Sequence, residues 1–188
     1  MRRRDLVTGT VALVLAHTLP ALAQEKTADA VRAEIRKMRQ ETLDQLYKDV
    51  PQARRNIRGA AGYAVFESVG AQVLFVGGAG GSGVVRDNLT GKDTYMKMAS
   101  AGVGLGLGVK DMRVIFVFKK RDALKRFVED GWQFGGQSDV AAKADQKGGA
   151  AGDLEVADGI TVYQLTQSGL IAQATVQGTK YWKDDALN

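Results

Sequence analysis

The sequence predicts helices packed on a strongly bent, glycine-rich antiparallel sheet. Three observations carry that expectation. Residues 28–48 repeat apolar side chains at helical spacing. From Tyr63 onward the chain changes to short segments rich in β-branched and aromatic residues. Between Gly102 and Gly108 glycine then occupies every second position, with Val103, Leu105 and Leu107 between. Strand side chains alternate between two faces, so one face here carries Val and Leu and the other is bare backbone. Glycine inside a strand marks a bend, a bulge or a close approach. Gly77, Gly78, Gly80, Gly81 and Gly83 repeat the theme, and thirteen of the 23 glycines fall between Gly59 and Gly108, which puts the bend at the centre of the chain.

The chain opens on an address. Arg2, Arg3 and Arg4 precede a weakly apolar stretch from Leu6 to Leu15, and Ala21-Leu22-Ala23 is a small-x-small cleavage site, so residues 1–23 read as an export signal and the mature chain begins at Gln24. Arg3-Arg4-Asp5-Leu6-Val7 also fits a twin-arginine signal, and ordinary secretion fits equally. Both place the protein outside a bacterial cytoplasm, in the periplasm or beyond. Removing three Arg and one Asp lowers the formal charge of +5 by two, too little to argue for nucleic acid. The single histidine, His17, lies in the same segment, and there is no cysteine. The mature protein therefore works without imidazole or thiol and rests on its core alone.

Residues 24–51 form an amphipathic N-terminal unit. Val31, Ile35, Met38, Thr42 and Leu46 make the helical stripe, widened by Leu43 and Tyr47, and Arg32, Arg36 and Arg39 border it. After Pro51 a short helix covers Gln52–Arg58. The remainder, 52–188, reads as one domain. Its strands are Tyr63–Phe66, Gln72–Val76, Val84–Arg86 and Thr94–Met98, followed by the glycine strand, a turn at Lys110-Asp111 and the buried strand Met112–Phe118. Asp87 to Asp93 supplies hairpin turn chemistry. Asp122 is placed as the N-cap of a helix closed by Gly131. Gly135–Asp158 reads as loop with a short helix around Val140–Ala144. Strands Ile160–Leu165 and Leu170–Val176 follow, and Gly178–Asn188 reads as a tail.

Little of this is catalytic. Gly78-Ala79-Gly80-Gly81-Ser82-Gly83 has the letters of a dinucleotide fingerprint, but Val84-Val85-Arg86 continues as strand where a helix must open. No Ser-x-x-Lys spacing is present for nucleophilic catalysis. Zinc lacks its usual nitrogen and sulfur ligands, and Asp153, Glu155, Asp158, Asp184 and Asp185 form no calcium loop. The expectation is no catalytic residue, no metal and no cofactor. What remains is basic. Lys119, Lys120 and Arg121, followed by Lys125 and Arg126, make one cluster, and Arg54, Arg55 and Arg58 make another. Each is either a solvated surface or a binding face for an anionic partner; near a charged membrane each Lys or Arg contributes about 1 kcal/mol.

Gly62-Tyr63-Ala64-Val65-Phe66, the Gly77–Gly83 tract, the alternating Gly102–Gly108 segment, Phe127, and Tyr163 with Ser168-Gly169-Leu170 together resemble the SYLF domain family. This lipid-binding module also occurs in actin-patch proteins of yeast and animals. The resemblance covers roughly Gln52 to Asn188. It implies an α+β fold with a curved antiparallel sheet or partial β-barrel flanked by helices, binding to phosphoinositide or other anionic phospholipid, and no enzymatic activity. Actin, a partner of eukaryotic members, is not expected in a bacterial envelope. The expected protein is a peripheral, non-enzymatic lipid binder of the envelope; the alternative is a structural or protein-partner module there. Its candidate lipid-binding residues, chosen on charge and helix geometry, are Lys119, Lys120, Arg121, Lys125, Arg126, Arg54, Arg55 and Arg58.

Overall fold

The computed structural model describes residues 26–73, 76–103, 112–133, 154–157, 159–166, 169–171 and 179–188. The export signal, the alternating glycines 104–108, the 110–111 turn and the 140–144 helix lie outside them.

Helix α1 spans Ala28–Asp49. Thr27 caps it, its hydroxyl accepting from the Ala30 amide at 3.3 Å and satisfying one of the unpaired donors of the first turn. The buried side chains are Ile35, Met38, Thr42, Leu43 and Leu46, the stripe that the spacing predicts. Thr42 meets its own hydrogen-bonding need by donating to the Met38 carbonyl at 2.7 Å, which lets a hydroxyl sit in an apolar stripe. Helix α2, Ala53–Gly59, follows.

Strands β1 Gly62–Val73, β2 Val76–Asp87 and β3 Asp93–Val103 form a continuous antiparallel meander. Four short strands are expected over this stretch from sequence; the structure has three long ones. Residues 67–71 lack β-branched density, but β1 is paired along its first seven residues by β4 (Met112–Phe118) and along its whole length by β2, and pairing outweighs propensity. Helix α3 is Arg121–Glu129. Lys120 occupies its N-cap position and Asp122 lies within the first turn, where a carboxylate complements the helix dipole but does not cap. Gly131 ends the segment at φ +71°, a left-handed conformation that glycine adopts without a Cβ penalty.

The remaining strands are β5 Trp132–Gln133, β6 Leu154–Ala157, β7 Ile160–Thr166, β8 Gly169–Ile171 and β9 Thr179–Lys183. Two of these correct the sequence expectation. β6 lies in the stretch that reads as loop, where it pairs with β7 through a register shift, and β9 lies in the stretch that reads as tail, where it pairs with β3. The strand order is β5-β9-β3-β2-β1-β4-β7-β6, with β8 on β7, and every pairing is antiparallel. The fold is therefore α+β, and among the described residues the sheet is open, its end strands β5 and β6 having no pairing with each other.

Both faces of the sheet are buried. On β4, Val114, Phe116 and Phe118 enter one core while Ile115 and Val117 enter the other, which is why the run from Val114 to Phe118 is apolar without interruption. Helices α1 and α2 close the second core through Leu46, Ala53 and Ile57. The first core holds Ala123, Leu124 and Phe127 of α3 with the rings of Phe66, Phe116, Phe118 and Tyr181.

That aromatic core measures the bend. Adjacent strands lie about 4.8 Å apart, so a flat sheet would hold β4 and β9, four steps apart in the order, roughly 19 Å from each other. Yet the rings of Phe116 on β4 and Tyr181 on β9 meet edge to face with centroids 5.2 Å apart, and Phe116 also meets Trp132 of β5 at 5.8 Å. The sheet wraps around its own aromatic side chains.

Candidate functional site

The register places Gly62, Asp87 and Phe118 side by side at one end of the sheet. Three connecting segments meet there. The Ala61 amide, just past α2, donates to the Phe118 carbonyl at 2.8 Å, and the Asn88 amide donates to the Ala61 carbonyl at 3.1 Å. The Asn88 side-chain amide donates to the Ile57 and Ala60 carbonyls at 2.7 and 3.0 Å, adding to the Ile57 carbonyl's longer 3.4 Å bond from the Ala60 amide at the end of α2. The Lys119 amide donates to the Gly159 carbonyl at 2.7 Å. The end of α2, the β2–β3 turn and the β4–α3 link are thus tied into one ledge.

Arg121 ties the ledge to α3. Its Nη1 and Nη2 donate to the two carboxylate oxygens of Asp87, both at 2.6 Å. Asp87 also accepts from the amides of Leu89 and Thr90 at 2.9 and 3.2 Å, which orders the turn. The Arg121 guanidinium, helped by these amides, holds the Asp87 carboxyl well below the usual carboxylate range. Arg121, expected from sequence to face a lipid, is instead committed to a carboxylate.

The other candidates stand differently. Arg54, Arg55 and Arg58 are exposed on α2, Lys125 and Arg126 are exposed on α3, and Lys119 and Lys120 are exposed in the link. The Arg54 guanidinium lies 4.4 Å above the Tyr47 ring, a cation–π contact that fixes its direction. Burial raises the Tyr47 pKa, an effect that Tyr63 reinforces and the nearby charges of Arg54 and Arg58 oppose. Because α2 packs on one core and α3 on the other, the two basic clusters flank the sheet from opposite faces and share its ledge end. Lys92, exposed in the β2–β3 turn, adds a cation that the sequence reading does not single out. Its signal is its position in the turn beside Asp87.

The arginines bordering the α1 stripe have another task. Arg32 donates to the Leu187 carbonyl at 2.9 Å, Arg36 to the Tyr95 hydroxyl at 2.8 Å, and Arg39 to Asp93 at 2.8 Å. They fasten the helix to β3 and to the C-terminal turn. The fingerprint-like glycines Gly78–Gly83 all lie inside β2, paired on both sides, and no helix opens after them. Among the described residues no group of three or more His, Cys, Asp or Glu side chains gathers as a metal site, and no helix is long and apolar enough to cross a membrane.

The described residues thus form a bent antiparallel sheet with helices on both faces and a basic ledge at one end. Residues 99–188 match the family model Ysc84, described as Las17-binding protein actin regulator, so this part of the chain carries the SYLF-type match. It is also similar to Beta cell expansion factor A of Aeromonas veronii, at 32% identity over 169 residues that cover 90% of this chain and 63% of that protein. The chain therefore spans less than two thirds of that relative's length.

Proposed function

We propose that this protein is a non-enzymatic lipid-binding protein, exported from the bacterial cytoplasm, that associates peripherally with an anionic membrane through its basic ledge and the flanking faces of α2 and α3. One observation carries the reading: the hydrogen bonds from Ala61 to Phe118 and from Asn88 to Ile57 bring to one end of the sheet two basic clusters that are far apart in the chain. Arg54, Arg55, Arg58, Lys119, Lys120, Lys125 and Arg126 are all exposed on the segments that meet at or lead from this end, with Asp122, Glu129 and Asp130 the exposed acidic residues on and beside α3. At about 1 kcal/mol for each basic residue near an anionic surface, such a set supports reversible association without an inserted helix. Arg121 contributes by holding the ledge.

Export follows from the reading of residues 1–23, and the N-terminal residue of native protein recovered from the envelope tests it. A chain starting at or beside Gln24 agrees; an intact Met1 refutes export. The lipid reading is tested by sedimenting the mature protein with vesicles of phosphatidylglycerol and phosphatidylethanolamine, against vesicles of phosphatidylcholine alone. Binding to the first only supports it. A second reading, a protein-partner module, draws on the description of the family model, which speaks of protein binding. Failure on anionic vesicles with salt-insensitive capture of an envelope protein favours that reading instead.

A further inference from the structure

The described residues leave two large apolar side chains exposed, Leu89 at 80% and Trp182 at 37%. Trp182 sits within β9 opposite Lys97. Leu89 is different: it caps the β2–β3 turn, at the ledge where the basic segments meet. A single exposed leucine on a loose loop has no meaning by itself. This one is held on a built platform. Its own amide donates to Asp87 at 2.9 Å, Asp87 is gripped by Arg121 through two 2.6 Å bonds, and the preceding residue, Asn88, is tied to Ile57, Ala60 and Ala61. Across the turn the Gly91 amide donates to the Asp87 carbonyl at 2.8 Å and the Asp87 amide to the Lys92 carbonyl at 3.0 Å. The turn's ordering is thus complete before any partner arrives, so presenting the side chain costs no further loop entropy. The segments tied to this turn carry further basic residues: Arg58 near the end of α2, Lys92 in the turn itself, and Lys119 and Lys120 in the link after β4, where the Lys120 stem packs against Gly159.

We infer that Leu89 is a membrane-inserting wedge: it enters the acyl region of an anionic bilayer while the surrounding basic residues lie at the phosphates. The inference rests on the lipid reading and adds the docking pose, with the ledge end of the sheet facing the membrane. Charge complementarity chooses the occupant. An apolar tip on a ledge whose connected segments are basic fits a surface that is apolar inside and anionic at its rim.

Because the chain has no cysteine, a single label reports its own position. Leu89→Cys is labelled with an environment-sensitive nitrobenzoxadiazole dye. A Gln45→Cys control carries the dye on α1 beyond Glu41, which lies 3.7 Å from Arg113 toward the opposite end of the sheet. On phosphatidylglycerol–phosphatidylethanolamine vesicles the label at 89 should brighten, shift to the blue and be quenched by lipids brominated high on the acyl chain, while the label at 45 keeps its aqueous spectrum. Leu89→Ala, which removes an exposed side chain and leaves the fold intact, should weaken partitioning by about tenfold, the size expected for losing most of a leucine's transfer from water. If the protein binds these vesicles and the label at 89 still reports water, the wedge is refuted and the charge-based reading survives. If the unmodified protein does not bind them, both fall together.

Discussion

The rings of Phe66 and Tyr181 lie with centroids 4.7 Å apart, although two strands stand between theirs in the sheet. What permits this is Gly83, the residue paired with Phe66 on β2. A Cβ built at Gly83 would collide with the Phe66 ring and the Val65 carbonyl, so the ring lies over bare backbone and reaches across toward β9. Gly81 is approached as closely by the β1 backbone at Glu67, whereas a Cβ at Gly80 meets nothing within 4 Å. The bare strand face expected from sequence is, in this tract, the place where the sheet folds over its own aromatic core.

A first prediction follows for that tract. Gly83→Val should destabilise by at least the 1–3 kcal/mol typical of overpacking, since the nearest obstacles are a ring in a filled core and a backbone carbonyl. Gly80→Ala should lie within about 0.5 kcal/mol of wild type. Urea unfolding of the two variants separates them. Equal midpoints would mean that the bend does not depend on Gly83.

The Asp87–Arg121 pair gives a pH prediction. The Asp87 carboxyl titrates below its ordinary 3.8 in the folded protein, so the folded state favours the charged form. Its contribution to stability is therefore complete above the ordinary carboxylate range and is lost as pH falls below it toward the depressed value. The stability gap between wild type and Asp87→Asn should be widest at neutral pH and should narrow on acidification below about pH 4. A gap that widens with acid contradicts the assignment. Arg121→Glu, which sets two carboxylates against each other, should unfold at lower urea than Lys125→Glu on the same helix.

Helix α1 is predicted to be part of the domain's core rather than a detachable arm. Leu46 is wholly buried, and Leu46→Ala should cost about 2–5 kcal/mol. Arg39→Ala should cost less, about 1 kcal/mol, because Arg86 stays 3.1 Å from Asp93 and keeps it paired. Both are read from urea midpoints. A neutral Leu46→Ala would detach α1 from the fold.

The sequence shows some of this directly and hides the rest for physical reasons. The α1 stripe is legible because burial on one side of a helix leaves a period. The β4 strand is legible because burial on both faces leaves an unbroken apolar run. The tasks of Arg32, Arg36 and Arg39 are not legible: their partners Leu187, Tyr95 and Asp93 lie 155, 59 and 54 residues away, and a pinned arginine looks like a solvated one until the partner is seen. Arg121 is hidden in the same way, with Asp87 34 residues upstream. Strand β9 escapes because its five residues are defined by pairing with β3 rather than by their own alternation. The meeting of the α2 and α3 clusters depends on the β1–β2 and β1–β4 registers, which no local pattern encodes.

The match over residues 99–188 raises a fourth prediction about where the folding unit ends. It starts inside β3 and omits β1 and β2, so β4 loses its neighbour β1 and the aromatic core loses Phe66, Met96 and Met98. A fragment of residues 99–188 should remain unfolded by circular dichroism and amide dispersion, whereas residues 26–188 should fold. A cooperatively folded short fragment would show that the long meander is an appendage.

The most direct test of the central claim is the salt dependence of binding to anionic vesicles, measured for the mature protein and for a variant carrying Arg55→Glu, Arg58→Glu, Lys125→Glu and Arg126→Glu. These four side chains are exposed, and the variant leaves the Asp87–Arg121 grip intact. With each basic residue contributing about 1 kcal/mol at the surface, the variant should fold normally and bind on the order of a hundredfold or more weakly. Wild-type binding should fall steeply as salt rises. A folded variant that binds as tightly as wild type, or wild-type binding indifferent to salt, would contradict the basic ledge as the membrane-binding surface.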